Sequence, residues 1–83
     1  MHELSIATSI LDLARRHTPA GKVLRSVSVR AGGMRGIDPE SMELAWRACT
    51  LGSDASKSSL HLEVLPNGDD LLLVGIEVDE VAP

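Results

Sequence analysis

The first three residues, Met1-His2-Glu3, set an α-amine, an imidazole and a carboxylate on neighbouring positions. With histidine second, the free amine, the deprotonated His2 amide and the His2 Nδ1 can close fused chelate rings around one ion. A backbone amide or an oxygen of Glu3 can fill a fourth position. Nitrogen-rich planar ligation of this kind suits Ni(II) or Cu(II) rather than the oxygen-seeking magnesium or calcium. Amine and amide must lose protons to ligate, so binding is expected to depend steeply on pH. A residue as large as His2 ordinarily prevents removal of the initiator methionine, which keeps the Met1 amine in place.

Other chemistry-bearing residues are sparse. Cys49 is the single cysteine and cannot close an internal disulfide. It falls on the apolar stripe of a predicted helix, where a lone thiol is a core residue rather than a ligand or nucleophile. His17 and His61 are assigned to a helix end and the solvent face of a strand. No nucleophile with its base, phosphate-cradling loop or catalytic pair of carboxylates is visible, and an enzyme is not expected.

These residues need elements to position them. From Glu3 to about His17, Leu4, Ala7, Ile10, Leu11 and Ala14 recur at helical spacing; Arg15, Arg16 and His17 suit the negative end of the helix dipole, and Pro19 with Gly21 ends the helix. Lys22 to Ala31 predicts a strand with Val23, Val27, Val29 and Ala31 on one face. Ser26, Ser28 and Arg30 take the other, and Arg25 is a misfit on the apolar side. Asp38 is a favoured N-cap type, Pro39 suits the first helical position, and Met42, Ala45, Trp46 and Cys49 form a stripe closed by Gly52. Leu60, Leu62 and Val64 then alternate with His61 and Glu63 as a strand.

After the turn Pro66-Asn67-Gly68-Asp69, Leu71 to Val78 is expected to return antiparallel beside that strand, because Asn-Gly is a strong hairpin signal. Leu72, Val74, Ile76 and Val78 would face the core. Leu71 and Leu73 would face outward, where a partner or a second copy in a homodimer could cover them. The order helix, strand, helix, strand, strand gives an α/β fold of one domain: a three-stranded mixed sheet with both helices packed on one face.

Bulk properties narrow the function. Eighty-three residues fit one small domain, and Trp46 is the only aromatic residue, so an aliphatic core must carry the folding free energy. A net charge of -4 with scattered basic residues argues against nucleic acid as a partner. No apolar run is long enough to cross a bilayer and no signal-peptide core is visible, so no membrane partner is expected and a cytoplasmic location is the default.

Several segments together resemble one family. Met1-His2-Glu3-Leu4-Ser5-Ile6-Ala7 is similar to the opening of HypA proteins, nickel metallochaperones of [NiFe]-hydrogenase maturation, whose chains typically begin MHELS. Ser28-Val29-Arg30-Ala31-Gly32 resembles the family's first strand, and Gly36-Ile37-Asp38-Pro39-Glu40-Ser41-Met42 its G-V-x-P-E-x-L segment. His61-Leu62-Glu63-Val64 and Gly75-Ile76-Glu77-Val78 look like its last two strands.

The resemblance implies that residues 1–83 form a HypA-like nickel-binding domain, with Ni(II) held by the Met1 amine, His2 and Glu3. It also implies that Asp38, besides capping a helix, aligns with an acidic position that in some members lies near that site. The nickel would pass to a nickel-inserting GTPase of hydrogenase maturation or to the hydrogenase large-subunit precursor. An alternative is a shortened relative serving as a protein-protein adaptor or regulatory module with little metal binding.

Two departures bear on that choice. The family normally carries a zinc-binding domain with two C-x-x-C pairs between its last two strands. Here Pro66-Asn67-Gly68-Asp69-Asp70 joins them directly, so the zinc domain is absent between residues 66 and 70 and structural zinc is not expected. Gly33-Met34 also stands where the family usually shows an acidic residue followed by leucine, so a charge facing the nickel site is expected to be lost.

Overall fold

A computed structural model of the chain describes residues 2–81. Helix α1 spans Glu3–Arg16, strand β1 Lys22–Gly32, helix α2 Pro39–Thr50, β2 Ser59–Leu65 and β3 Leu71–Glu80. A single 3-10 turn, Gly33–Arg35, follows β1. The expected α-β-α-β-β order and mixed sheet are present. Helix α1 buries Ile6, Ala7, Ile10, Leu11 and Ala14 along one stripe, as its periodicity requires. Helix α2 begins on Asp38, whose Oδ2 accepts from the Ser41 N–H at 3.2 Å and from Ser41 Oγ at 2.7 Å.

The core lies between the helices and the sheet. Val27 and Ala31 of β1 are fully buried and Val29 nearly so; they meet Met42 and Trp46 of α2 and the stripe of α1. Trp46 is the largest side chain in the core, and its Nε1 donates to Ser58 Oγ at 3.1 Å in the connection that leads into β2. The Ser58 hydroxyl in turn donates to the Ala55 carbonyl at 2.6 Å. The buried indole therefore leaves no polar atom without a partner, which burial of a tryptophan demands.

The strand order corrects the hairpin expectation. The sheet runs β2-β1-β3, with β1 central, parallel to β2 and antiparallel to β3. Strands β2 and β3 do run in opposite directions but are not neighbours. A tight type I′ hairpin needs positive φ at both central residues. Only Gly68 has it, at φ 86°, and no described non-glycine residue does. The Pro66–Asp70 stretch instead straps across the end of β1: the Gly32 N–H donates to the Asp70 carbonyl and the Met34 N–H to the Gly68 carbonyl, both at 2.8 Å.

That strap explains the glycine pair. A Cβ on Gly32 would lie 2.2 Å from the Gly68 carbonyl oxygen, and one on Gly33 would lie 2.6 Å from that of Leu65. Both clashes are with backbone, so no side chain fits at either position without moving the strap. The glycine at position 33 is thus matched to the short connection between β2 and β3.

Two irregularities in the β1–β3 pairing correct the face assignments. Between Leu24 and Ser26 an extra residue, Arg25, interrupts the register on β1; between Leu73 and Gly75 an extra residue, Val74, interrupts it on β3. Each shift turns the strand by one residue, which exchanges its faces. Leu24 rather than Val23 is therefore buried with Val27, and the misfit Arg25 points to solvent, pairing with Glu77 at 3.0 Å and Asp79 at 3.5 Å. On β3, Leu71 and Leu73 pack against the core together with Ile76 and Val78, whereas Leu72 and Val74 are exposed. The expectation of outward Leu71 and Leu73 is reversed.

Candidate metal centre

The amino-terminal segment is placed by the start of α1. His2 is the N-cap residue, with φ −98° and ψ 2°, and its side chain makes no capping bond. It is exposed. Its carbonyl starts the helix ladder, accepting from the Ile6 N–H at 3.0 Å and from Ser5 Oγ at 3.0 Å. The His2 amide precedes the first ladder donor, so it has no intrahelical acceptor. An ion that replaces its proton would break no helix hydrogen bond.

Glu3 is placed differently from His2. Its side chain is buried, with 9% relative exposure, and Oε2 accepts the backbone N–H of Asp38 at 3.3 Å. The carboxylate thus joins the beginning of α1 to the N-cap of α2, and brings together two of the sequence-predicted site residues. Hydrogen bonding, in part by the Asp38 amide and its own amide, holds the Glu3 carboxyl at about 2, well below the usual carboxylate range. A carboxylate so engaged is a joint between helices, and its oxygens are already committed.

Asp38 uses its side chain on Ser41 and its backbone N–H on Glu3. Its capping role is therefore established, and its adjacency to the amino terminus comes through Glu3. Met1, the other predicted donor, lies outside the described residues. Among the described residues no group of three or more His, Cys, Asp or Glu side chains could hold a metal ion.

The remaining candidates stand apart. His17 is exposed just past the last turn of α1, and His61 is exposed on β2. Cys49 is half-buried on α2 with its Sγ directed to the Trp46 carbonyl at 3.5 Å, and burial pushes its thiol pKa up, which makes it a poor thiolate ligand. Gly33 and Met34 lie against the strap, with Met34 exposed. The Glu3–Asp38 contact was not visible in the sequence. Its only signal was a carboxylate close behind the amino terminus, in a helix whose stripe otherwise accounts for every buried side chain.

The lowered Glu3 pKa gives a pH expectation for the metal-free protein. Since the folded value lies below the unfolded one of about 4.5, the stabilising contribution is complete above about 4.5 and is lost as pH falls through about 2. Glu3→Gln should flatten that acid limb. Equilibrium unfolding of both proteins across this range checks the expectation.

Comparison with known proteins places the chain. The family model described as "Hydrogenase/urease nickel incorporation, metallochaperone, hypA" matches residues 1–68. Among curated relatives, the hydrogenase maturation factor HypA of Geotalea daltonii is 35% identical over 66 residues, covering 80% of this chain and 59% of its own. That of Chlorobium limicola is 38% identical over 66 residues, covering 76% of this chain and 56% of its own. That of Wolinella succinogenes is 34% identical over 68 residues, covering 80% and 57%. The chain therefore spans less than two thirds of the length of these relatives. No helix among the described residues is long and apolar enough to cross a membrane. With the family model matching well over half of its residues, from the amino terminus through β2, the chain belongs to the HypA family of nickel-incorporation metallochaperones, maturation factors rather than enzymes.

Proposed function

We propose that this protein binds Ni(II) as cargo at its amino terminus and passes it on during maturation of a [NiFe]-hydrogenase. The observation that carries the reading is the exposed His2 at the N-cap of α1, with its own amide outside the helix ladder. The Met1 amine, the His2 amide and His2 Nδ1 would supply three nitrogens. The fourth position is left to a further ligand, because the Glu3 carboxylate is engaged with the Asp38 amide and with its own. Asp38 supports the site by fixing the Glu3 side chain rather than by ligating.

Each part of this donor set favours nickel in transit. Planar nitrogen ligation suits Ni(II), as it does Cu(II), and is open on both faces of the plane, so an acceptor can approach and compete for the ion. The positive end of α1 opposes a cation, and amide deprotonation offsets this by making the ligand set anionic. Receivers of the nickel would be a nickel-inserting GTPase or the large-subunit precursor of the hydrogenase, acting in the cytoplasm. Titration of the untagged protein with Ni(II), followed by calorimetry, tests the site. His2→Ala is expected to lose at least about a hundredfold in affinity, since it removes one ring nitrogen and opens a chelate ring. An unchanged affinity would remove the amino-terminal site.

A further inference from the structure

The two edges of the sheet differ in how they are protected. Strand β2 carries the exposed polar residues His61 and Glu63 on its open face and is followed by Pro66. Strand β3 has no lysine, arginine or proline. It begins with four consecutive apolar residues, Leu71 to Val74, of which Leu72 and Val74 are 54% and 51% exposed. On the helix side, Leu71 and Leu73 line an apolar groove with Ser9, Ile10 and Leu13 of α1. Gly75 follows, and a Cβ there would meet nothing within 4 Å. An edge strand whose first four residues are apolar on both faces is a template for another strand, and a glycine within it lets a second backbone approach closely.

Charge decides what that strand can be. Asp69 and Asp70 precede β3, and Glu77, Asp79 and Glu80 occupy its far end. Arg25 pairs with Glu77 and Asp79, Lys22 with Glu80, and Arg35 donates to the Asp69 carbonyl, so five carboxylates meet three cations and each end stays net acidic. A second copy paired antiparallel along β3 would set the Asp69-Asp70 end of each chain against the Glu77-to-Glu80 end of the other. Like charges directly opposite one another destabilise such a pairing.

We propose that the outer edge of β3 receives, as a fourth strand, an extended segment of another protein with an apolar centre and lysine or arginine at both ends. Main-chain hydrogen bonds to β3 supply affinity. Side chains alternating into the groove beside Leu13 and over Leu72 and Val74 supply selectivity, and the basic ends meet the two acidic flanks. This edge is separate from the amino-terminal nickel site and operates whether or not nickel is bound.

The test uses the full chain and a fluorescent peptide of alternating valine and threonine flanked by lysine pairs, with a glutamate-flanked counterpart, read by anisotropy. The lysine-flanked peptide is expected to bind at least about tenfold more tightly, with the difference narrowing as salt rises. Amide exchange of the wild-type protein should show new protection at Leu71 to Ile76. The double variant Leu72→Lys, Val74→Lys, whose sites are exposed, should lose about tenfold in affinity and keep the nickel titration of the parent. Absence of binding, equal binding of both peptides, or protection on β2 would overturn the proposal. So would sedimentation showing that the free protein dimerises through β3.

Discussion

Replacing Trp46 with alanine is expected to lower the free energy of unfolding by about 3–5 kcal/mol. The indole is 1% exposed, sits among Met42, Val27 and Val29, and anchors the connection into β2 through Ser58. Its removal would leave a large cavity, and Ser58 Oγ would lose its donor. In a domain of this size total stability is on the order of 4–12 kcal/mol, so the loss should take a substantial share. Denaturant unfolding followed by circular dichroism measures it, since the variant has no tryptophan to report. Leu44→Ala, at a position 67% exposed on the same helix, should change stability by less than about 0.5 kcal/mol.

The second large effect is on nickel affinity. Ligation through the Met1 amine and the His2 amide would displace at least two protons near neutral pH, because an α-amine is ordinarily largely protonated there and a peptide amide fully so. Each displaced proton weakens binding by about tenfold per pH unit. Apparent affinity should therefore fall about a hundredfold for each unit below neutrality. Competition titrations at stepped pH against a chelator of known proton dependence measure the slope. A site made of carboxylates would instead keep its affinity down to the carboxylate range, near pH 4.

Much of the fold was legible because each signal was local. The stripe of α1, the Asp38-Pro39 start of α2 and the alternation in β2 are properties of neighbouring residues, and the structure places each where its pattern demands. What escaped were relations between distant segments. Asn67-Gly68 looks the same in a hairpin and in a strap. Only the position of β1 between two edge strands, with Gly32 and Gly33 leaving room for the crossing chain, distinguishes them. The extra residues Arg25 and Val74 likewise have no signature of their own beyond an arginine on an apolar face and a run of leucines too continuous to alternate.

The candidate site divides in the same way. His2 was legible from its type and its place next to the chain start. The engagement of Glu3 with the Asp38 amide was not, since it depends on how two helix beginnings thirty-five residues apart meet. That contact changes the part Glu3 can play: its carboxylate becomes the joint that holds the two helix ends together. The apolar outer edge of β3 shows the same dependence on long-range pairing, because the shift at Val74 determines which leucines face out.

The central claim is that nickel is held by the free amine at Met1 together with His2. Its most direct test compares the untagged protein with the same protein acetylated at Met1, each titrated with Ni(II) and followed by visible absorption and magnetic susceptibility. The free chain is expected to take up one equivalent as a planar, diamagnetic nitrogen-ligated ion, and the acetylated chain to show no such species. Equal uptake with the same spectrum in both proteins would contradict the account.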